Sequence, residues 1–171
     1  MQSSVTDIRV LTIWEPWATL LAYGIKQWET RPGHTSHVGK PYLIHSAKLW
    51  NQELEEFAFG FEPITSELER LGITKNEDFH RGHIIGQFIV DHCATIRTGS
   101  IHYDKENRQI NPPRGPEYHM GDYRDGRSVW IGKDHQVLST PLLYRGGQGY
   151  YRKFTGDYNS LEFCSPQLLS A

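Results

Sequence analysis

The sequence is poor in cysteine, in long apolar runs and in any excess of one charge, and each shortage removes a class of protein. Its 171 residues hold only two cysteines, Cys93 and Cys164, far apart and without a Cys-x-x-Cys pair. That excludes a disulfide framework and a cysteine-based metal site, and it fits a reducing compartment in which both are packed thiols. No apolar stretch approaches the roughly 20 residues of a membrane-spanning helix. The first residues also lack the basic and apolar blocks of a secretion signal. A cytoplasmic protein with no membrane partner is therefore expected. Eighteen Lys and Arg against twenty Asp and Glu leave a net charge of −2, so the chain has no basic surplus with which to hold long nucleic acids by counterion release. A local basic rim around a small pocket remains compatible with this balance. There is no internal repeat and no linker, which makes residues 1–171 one domain.

What the chain does have is aromatic residues, five Trp, nine Tyr and seven Phe, enough to build a core without staples. Residues 8–14 alternate apolar and polar with β-branched enrichment and predict a strand. Pro16 opens a helix at its first position, with Trp17, Leu20, Leu21 and Gly24 along one buried stripe and Gly24 as its left-handed stop. Residues 26–31 form a second strand and 41–47 a third. Leu54, Phe57, Ala58 and Phe61 have helical spacing, and a capping box at Ser66-x-x-Glu69 predicts a further helix over 66–71. The segment near 49–81 thus reads as a helical insertion against the sheet. Residues 83–96 make the longest strand, with Gly86 marking a bulge or a close backbone approach. Residues 98–126 are polar and punctuated and read as a long loop beside a site. Two more strands follow at 127–131 and 136–144, then a tight Gly146-Gly147-Gln148-Gly149 turn. About six short strands with helices at the side predict a small mixed α+β barrel.

Chemistry concentrates just after the first helix. Lys26, Glu29 and Arg31 crowd six residues, and in a strand Glu29 and Arg31 share one face while Trp28 and Thr30 take the other. This is a carboxylate held between two cations at the barrel mouth, or else a surface ion-pair cluster worth less than about 1 kcal/mol per pair. His45 would need to face the cleft and find a partner to act as acid or base. Trp14 and Trp130 are candidate stacking faces for a base. Arg145, Arg152 and Lys153 with Tyr150 and Tyr151 mix cations and aromatics as a nucleic-acid rim does. The His34/His37 and His80/His83 pairs lack a third ligand, so no metal and no cofactor is expected.

The order Pro16-Trp17-Ala18, then Gly24-x-Lys26-x-x-Glu29-x-Arg31, resembles the signature of the activating-signal-cointegrator-homology (ASCH) domain family, relatives of the PUA-like RNA-binding barrels. The resemblance continues in Gly39, in Ile44-His45-Ser46-Ala47, and later in Gly86, Gly126, Trp130 and Gly147-Gln148-Gly149. It covers residues 8–48 and 82–152 and leaves 49–81 and 98–126 unspecified. It implies a PUA-like barrel with a cleft lined by the Gly-x-Lys-x-x-Glu-x-Arg segment that takes RNA or another nucleic acid, with Lys26, Glu29, Arg31, His45, Ser46, Lys48, Trp14, Trp130 and Gln148 as its binding residues. Some small bacterial members are instead amidohydrolases that deacetylate 4-acetylcytidine with a lysine, a threonine three residues on and a distant glutamate. Lys26 falls on the lysine, Glu29 replaces the threonine, and the distant glutamate has no match. Two readings follow: recognition of nucleic acid or of one nucleotide within it, and an amidohydrolase on a modified nucleoside with Lys26 and Glu29 catalytic. A protein partner docked on the long loop or the helices is a third.

Overall fold

The computed structural model describes residues 7–97, 101–104, 109–111, 113–148 and 152–166. Its elements are β1 (Arg9–Ile13), α1 (Trp17–Ala22), β2 (Trp28–Arg31), β3 (Pro41–Ser46), α2 (Gln52–Gly60), α3 (Glu62–Arg70), β4 (His83–Arg97), β5 (Ile101–Asp104), β6 (Gln109–Ile110), α4 (Pro116–His119), β7 (Ser128–Leu143), β8 (Arg152–Lys153) and β9 (Phe163–Cys164). The strands form one mixed sheet in the order β2-β7-β4-β3-β1-β8, with β5 and β6 added beside β4 and β9 beside β7. Only β1 and β3 run parallel; every other pair is antiparallel. The long, bulged β4 and β7 carry the curl that brings the two ends of this order toward each other as a half-barrel. The half-barrel is thus the path of about six strands that was expected, with β5, β6 and β9 as short additions to it.

The α1 helix is buried nearly all round rather than along one stripe. Its Ala18, Leu21 and Ala22 pack into the concave sheet with Leu11, Tyr42, Phe88 and Trp130. On its other side Leu20 meets Ala58, Ile64 and Leu68. The helical insertion thus sits on α1, not directly on the sheet, and α1 is the filling between two layers. Each fully buried Leu or Ile in that second layer contributes about 1.5–3 kcal/mol. Pro16 is the residue before the first helical turn, and Gly24 adopts φ +69 just past its end, where Cβ-bearing residues are strained.

The structure corrects one expectation about the insertion and two about residues 98–144. Ser66 does not start a helix: α3 begins four residues earlier at Glu62, with Pro63 in its first turn, and the Ser66 hydroxyl donates to Glu62 within it. Asn51 is the true cap of α2, accepting the Leu54 amide at 3.0 Å. The 98–126 segment contains β5, β6 and α4 rather than being loop throughout. The strands expected at 127–131 and 136–144 are one strand, β7. Its ladder with β4 continues past the Gly132–Asp134 turn-like sequence through a bulge in β7 itself, which spends three residues between Gln136 and Lys133 where β4 spends two between Gln87 and Ile89.

Gly86 is both bulge and close approach. The β4–β7 register slips between Ile84 and Gly86. A Cβ there would run into the Gln136 carbonyl and lie 3.0 Å from the Ala22 methyl, so only glycine lets α1 and β7 close on this strand.

Candidate nucleic-acid cleft at the barrel seam

Strand β2 places the signature residues. It pairs on one side with β7, Glu29 opposite Trp130 and Arg31 opposite Ser128, and alternation sends Glu29 and Arg31 to the same side. Lys26 arrives from the turn after α1, where its amide donates to the Leu20 carbonyl at 3.0 Å. Its Nζ lies 2.9 Å from Glu29 Oε2 and donates to the Trp28 carbonyl. Arg31 Nε lies 2.9 Å from Glu29 Oε1. The triplet is no surface cluster: the Lys26 and Glu29 side chains are 1% and 8% exposed and that of Arg31 21%. Burial pushes the Glu29 carboxyl upward, but Lys26 and Arg31 together outweigh it and hold the group below the ordinary carboxylate range.

The cleft lies where the sheet fails to close. Among the described residues, β8 covers only Arg9 and Val10 of β1, and β2, at the other end of the sheet, pairs with β7 alone. Across the gap Arg31 Nη2 donates to the Thr12 carbonyl at 3.2 Å. A cavity of about 480 Å³ opens on this seam, walled by Trp14 and Trp17 on one side, Glu29 and Arg31 at the base, and Met120 and Asp122 opposite. A second cavity of about 890 Å³ shares Thr12, Trp14 and Arg31 with the first and runs on past His45, Lys48 and Arg145. Both fall in the size range of small-ligand sites. Trp14 stands 53% exposed between them, while Trp17 stacks on Phe57 with ring centroids 4.9 Å apart.

The far wall of the first cavity comes from the segment expected to be a loop. Glu117 in α4 accepts the Gln27 amide at 2.9 Å and the Trp28 amide at 3.0 Å, tying the segment to the start of β2. Burial raises the Glu117 carboxyl, against the pull of Lys26 and the two amides. Farther on, the Asp122 amide donates to Thr30 Oγ1 at 2.9 Å. The Asp122 carboxylate is lowered chiefly by its bond to Arg124 and also pairs with Arg127.

The nine expected binding residues separate into three groups. Trp14, Glu29 and Arg31 line the first cavity; Trp14, Arg31, His45, Lys48 and Gln148 line the second. Lys26 stands behind Glu29, its ammonium consumed by that carboxylate and a carbonyl. Trp130 and Ser46 are turned inward, a correction to their expected place. Trp130 is fully buried against Tyr42, and its indole N–H donates to the Gly33 carbonyl at 2.8 Å. Ser46, also fully buried, lies against the buried Glu15 carboxyl. His45 is buried with Nε2 bonded to the Tyr144 carbonyl at 3.0 Å, and burial lowers its imidazole below the usual value. Gly149 and residues 150 and 151 of the expected rim lie outside the described residues. Sequence reasoning missed Glu117 and Asp122, which sit in no patterned stretch, and Thr12, which sits in the expected first strand but carries no motif signal. Among the described residues no group of His, Cys, Asp or Glu could hold a metal ion, and no helix is long and apolar enough to cross a membrane.

A half-barrel of mixed strands filled by one helix, with a polar cleft at its open seam, is the α+β architecture of the PUA-like proteins. Within that class the chain belongs to the ASCH domain family, whose family model matches residues 11–142. The match runs through the helical insertion and the 98–126 segment as well as the signature. The structure is also similar, with a TM-score of 0.44 and 13% identity, to a mutant of the ZmASCH protein from Zymomonas mobilis, over 82% of this chain and 76% of that one. No curated protein matches the sequence.

Proposed function

We propose that the seam cleft recognises RNA through one unstacked nucleotide. The observation that carries this reading is the half-exposed Trp14, which lines the same cavity as the Glu29–Arg31 pair. An aromatic face is thereby set beside a fixed hydrogen-bonding guanidinium at the mouth of a cavity large enough for a base. Base stacking on such a face is worth about 1–3 kcal/mol and tolerates any base. The guanidinium, with Nε on Glu29 and Nη2 on the Thr12 carbonyl, is fixed in place and has only its remaining N–H groups for a ligand. In this reading Lys26 acts through Glu29, as a positioning residue that keeps the carboxylate ionised and Arg31 aimed. ASCH membership, which implies RNA as the partner, supports it.

The amidohydrolase reading draws less support. Lys26 would have to reach a substrate acyl carbon, yet its ammonium is sealed behind Glu29, and Glu29 occupies the place of the threonine. The test is fluorescence anisotropy with labelled single-stranded RNA, run beside chromatography of 4-acetylcytidine incubated with the protein. RNA binding weakened by Trp14→Ala, with no cytidine formed, is expected. Cytidine released by the unmodified protein but not by Lys26→Ala would overturn the reading in favour of the hydrolase.

A further inference from the structure

The two cavities differ in charge, and the difference says how a ligand would lie. In the first, Glu29 and Asp122 balance Arg31 and Arg127, and every one of these charges is already paired within the protein. It offers a neutral, aromatic-walled space with no cation to spare. In the second, Arg31, Lys48 and Arg145 line the wall and, among the described residues, no carboxylate does. Lys48 and Arg145 are exposed, and no ion pair engages either of them among the described residues. They come from two separate connections, one after β3 and one after β7, so they flank the opening from different sides.

We infer, building on the reading above, that the cleft takes a single strand in two parts: a base in the Trp14–Trp17–Glu29 cavity and the flanking phosphodiesters in the Lys48–Arg145 cavity. The occupant is a strand rather than a free nucleotide for two reasons. A terminal phosphate is usually gripped by converging backbone amides or a helix N-terminus. Here the Gly147 amide is already spent on Thr12 Oγ1, and the spare donors are two exposed, long-armed cations, the means by which a passing backbone is held. The second cavity is also nearly twice the volume of the first, more room than one phosphate uses. Arg31, common to both, marks the junction between base and backbone. This accounts for a chain that binds nucleic acid with no overall basic surplus: the positive charge is confined to one half of one cleft.

The experiment measures affinity for a hexaribonucleotide and for nucleoside monophosphates across a salt series. It uses the unmodified protein, the Lys48→Ala/Arg145→Ala double variant and Trp14→Ala. All three substituted side chains are exposed, and thermal unfolding checks that each variant is folded. At about 0.7 per phosphate contact on a single strand, the double variant should flatten the slope of log K against log salt by about 1.4. Trp14→Ala should lose about 5- to 150-fold in affinity with the slope unchanged. The monophosphates should bind far more weakly than the hexamer. Hexamer binding whose salt slope survives the double substitution, or monophosphates that bind as tightly as the hexamer, would overturn the two-part arrangement while leaving RNA recognition standing. Absence of hexamer binding to the unmodified protein at every salt concentration would remove both.

Discussion

Replacing Glu29 by glutamine preserves shape and one acceptor but deletes the anion on which Lys26 depends. The Lys26 side chain is 1% exposed, so its ammonium cannot recover hydration without displacing the start of β2. Arg31, at 21%, is partly hydrated and keeps its bond to the Thr12 carbonyl, so the penalty falls mainly on Lys26. Removing one partner of a buried pair costs about 3–5 kcal/mol, which for a domain of this size lowers Tm by about 6–20 °C. Urea unfolding at pH 7 measures it. Adding Lys26→Met removes the stranded charge, so the double variant Lys26→Met/Glu29→Gln should be more stable than Glu29→Gln alone. The pH dependence has a fixed sign. Because the folded Glu29 carboxyl lies below its ordinary value of 4.5, its contribution is complete above 4.5 and is lost as pH falls through the folded value. The gap between the unmodified protein and Glu29→Gln should therefore close in acid. A loss under about 1 kcal/mol for Glu29→Gln, the value of an exposed pair, or a double variant no more stable than the single, would refute the buried-pair argument.

Gly86→Ala should destabilise by about 3 kcal/mol, the upper part of the overpacking range, because the new methyl meets the Gln136 carbonyl and the Ala22 side chain, and backbone cannot swing aside as a side chain can; thermal unfolding reads this directly. Glu117→Ala should cost about 1 kcal/mol of stability, since water can replace part of the lost acceptor, and should speed amide hydrogen exchange at Gln27 and Trp28 while leaving Leu11 and Phe88 unchanged. Glu117→Gln, which keeps one carbonyl oxygen, should fall between the two in the same exchange experiment.

What could be read in the sequence was whatever a period or an ordered motif encodes. The alternation of residues 28–31 put Glu29 and Arg31 on one face, and the spacing of Leu54 and Ala58 marked the insertion as helical. The burial of Lys26 was not legible, because it depends on α4 arriving from ninety residues away to wall the other side. Nor could the sequence separate Trp14 from Trp130. Both sit in strand-like stretches, and only the pairing of β2 with β7 decides that Trp130 faces the core. The 98–126 segment looked like loop because β5 and β6 are short and borrow their order from the edge of β4. A Gly-Lys-Asp sequence at 132–134 looked like a break, and no local signal reveals that β7 would bulge there and keep its ladder with β4.

The gap between β1 and β2 also gives the cleft a mechanical character. Along the β2-β7-β4-β3-β1 path neighbouring strands are joined by backbone ladders, whereas among the described residues β1 and β2 meet across the cleft through the Arg31–Thr12 contact. Their separation is therefore held by a side-chain contact rather than by a ladder. A ligand seated between them acts as a clasp, and by thermodynamic reciprocity anything that draws the two edges together tightens ligand binding to the same degree. Substitutions on the β1 edge or in the α4 tether would then alter affinity without touching the ligand, and ligand binding would show first as slowed exchange along β1 and β2, leaving the interior unaffected.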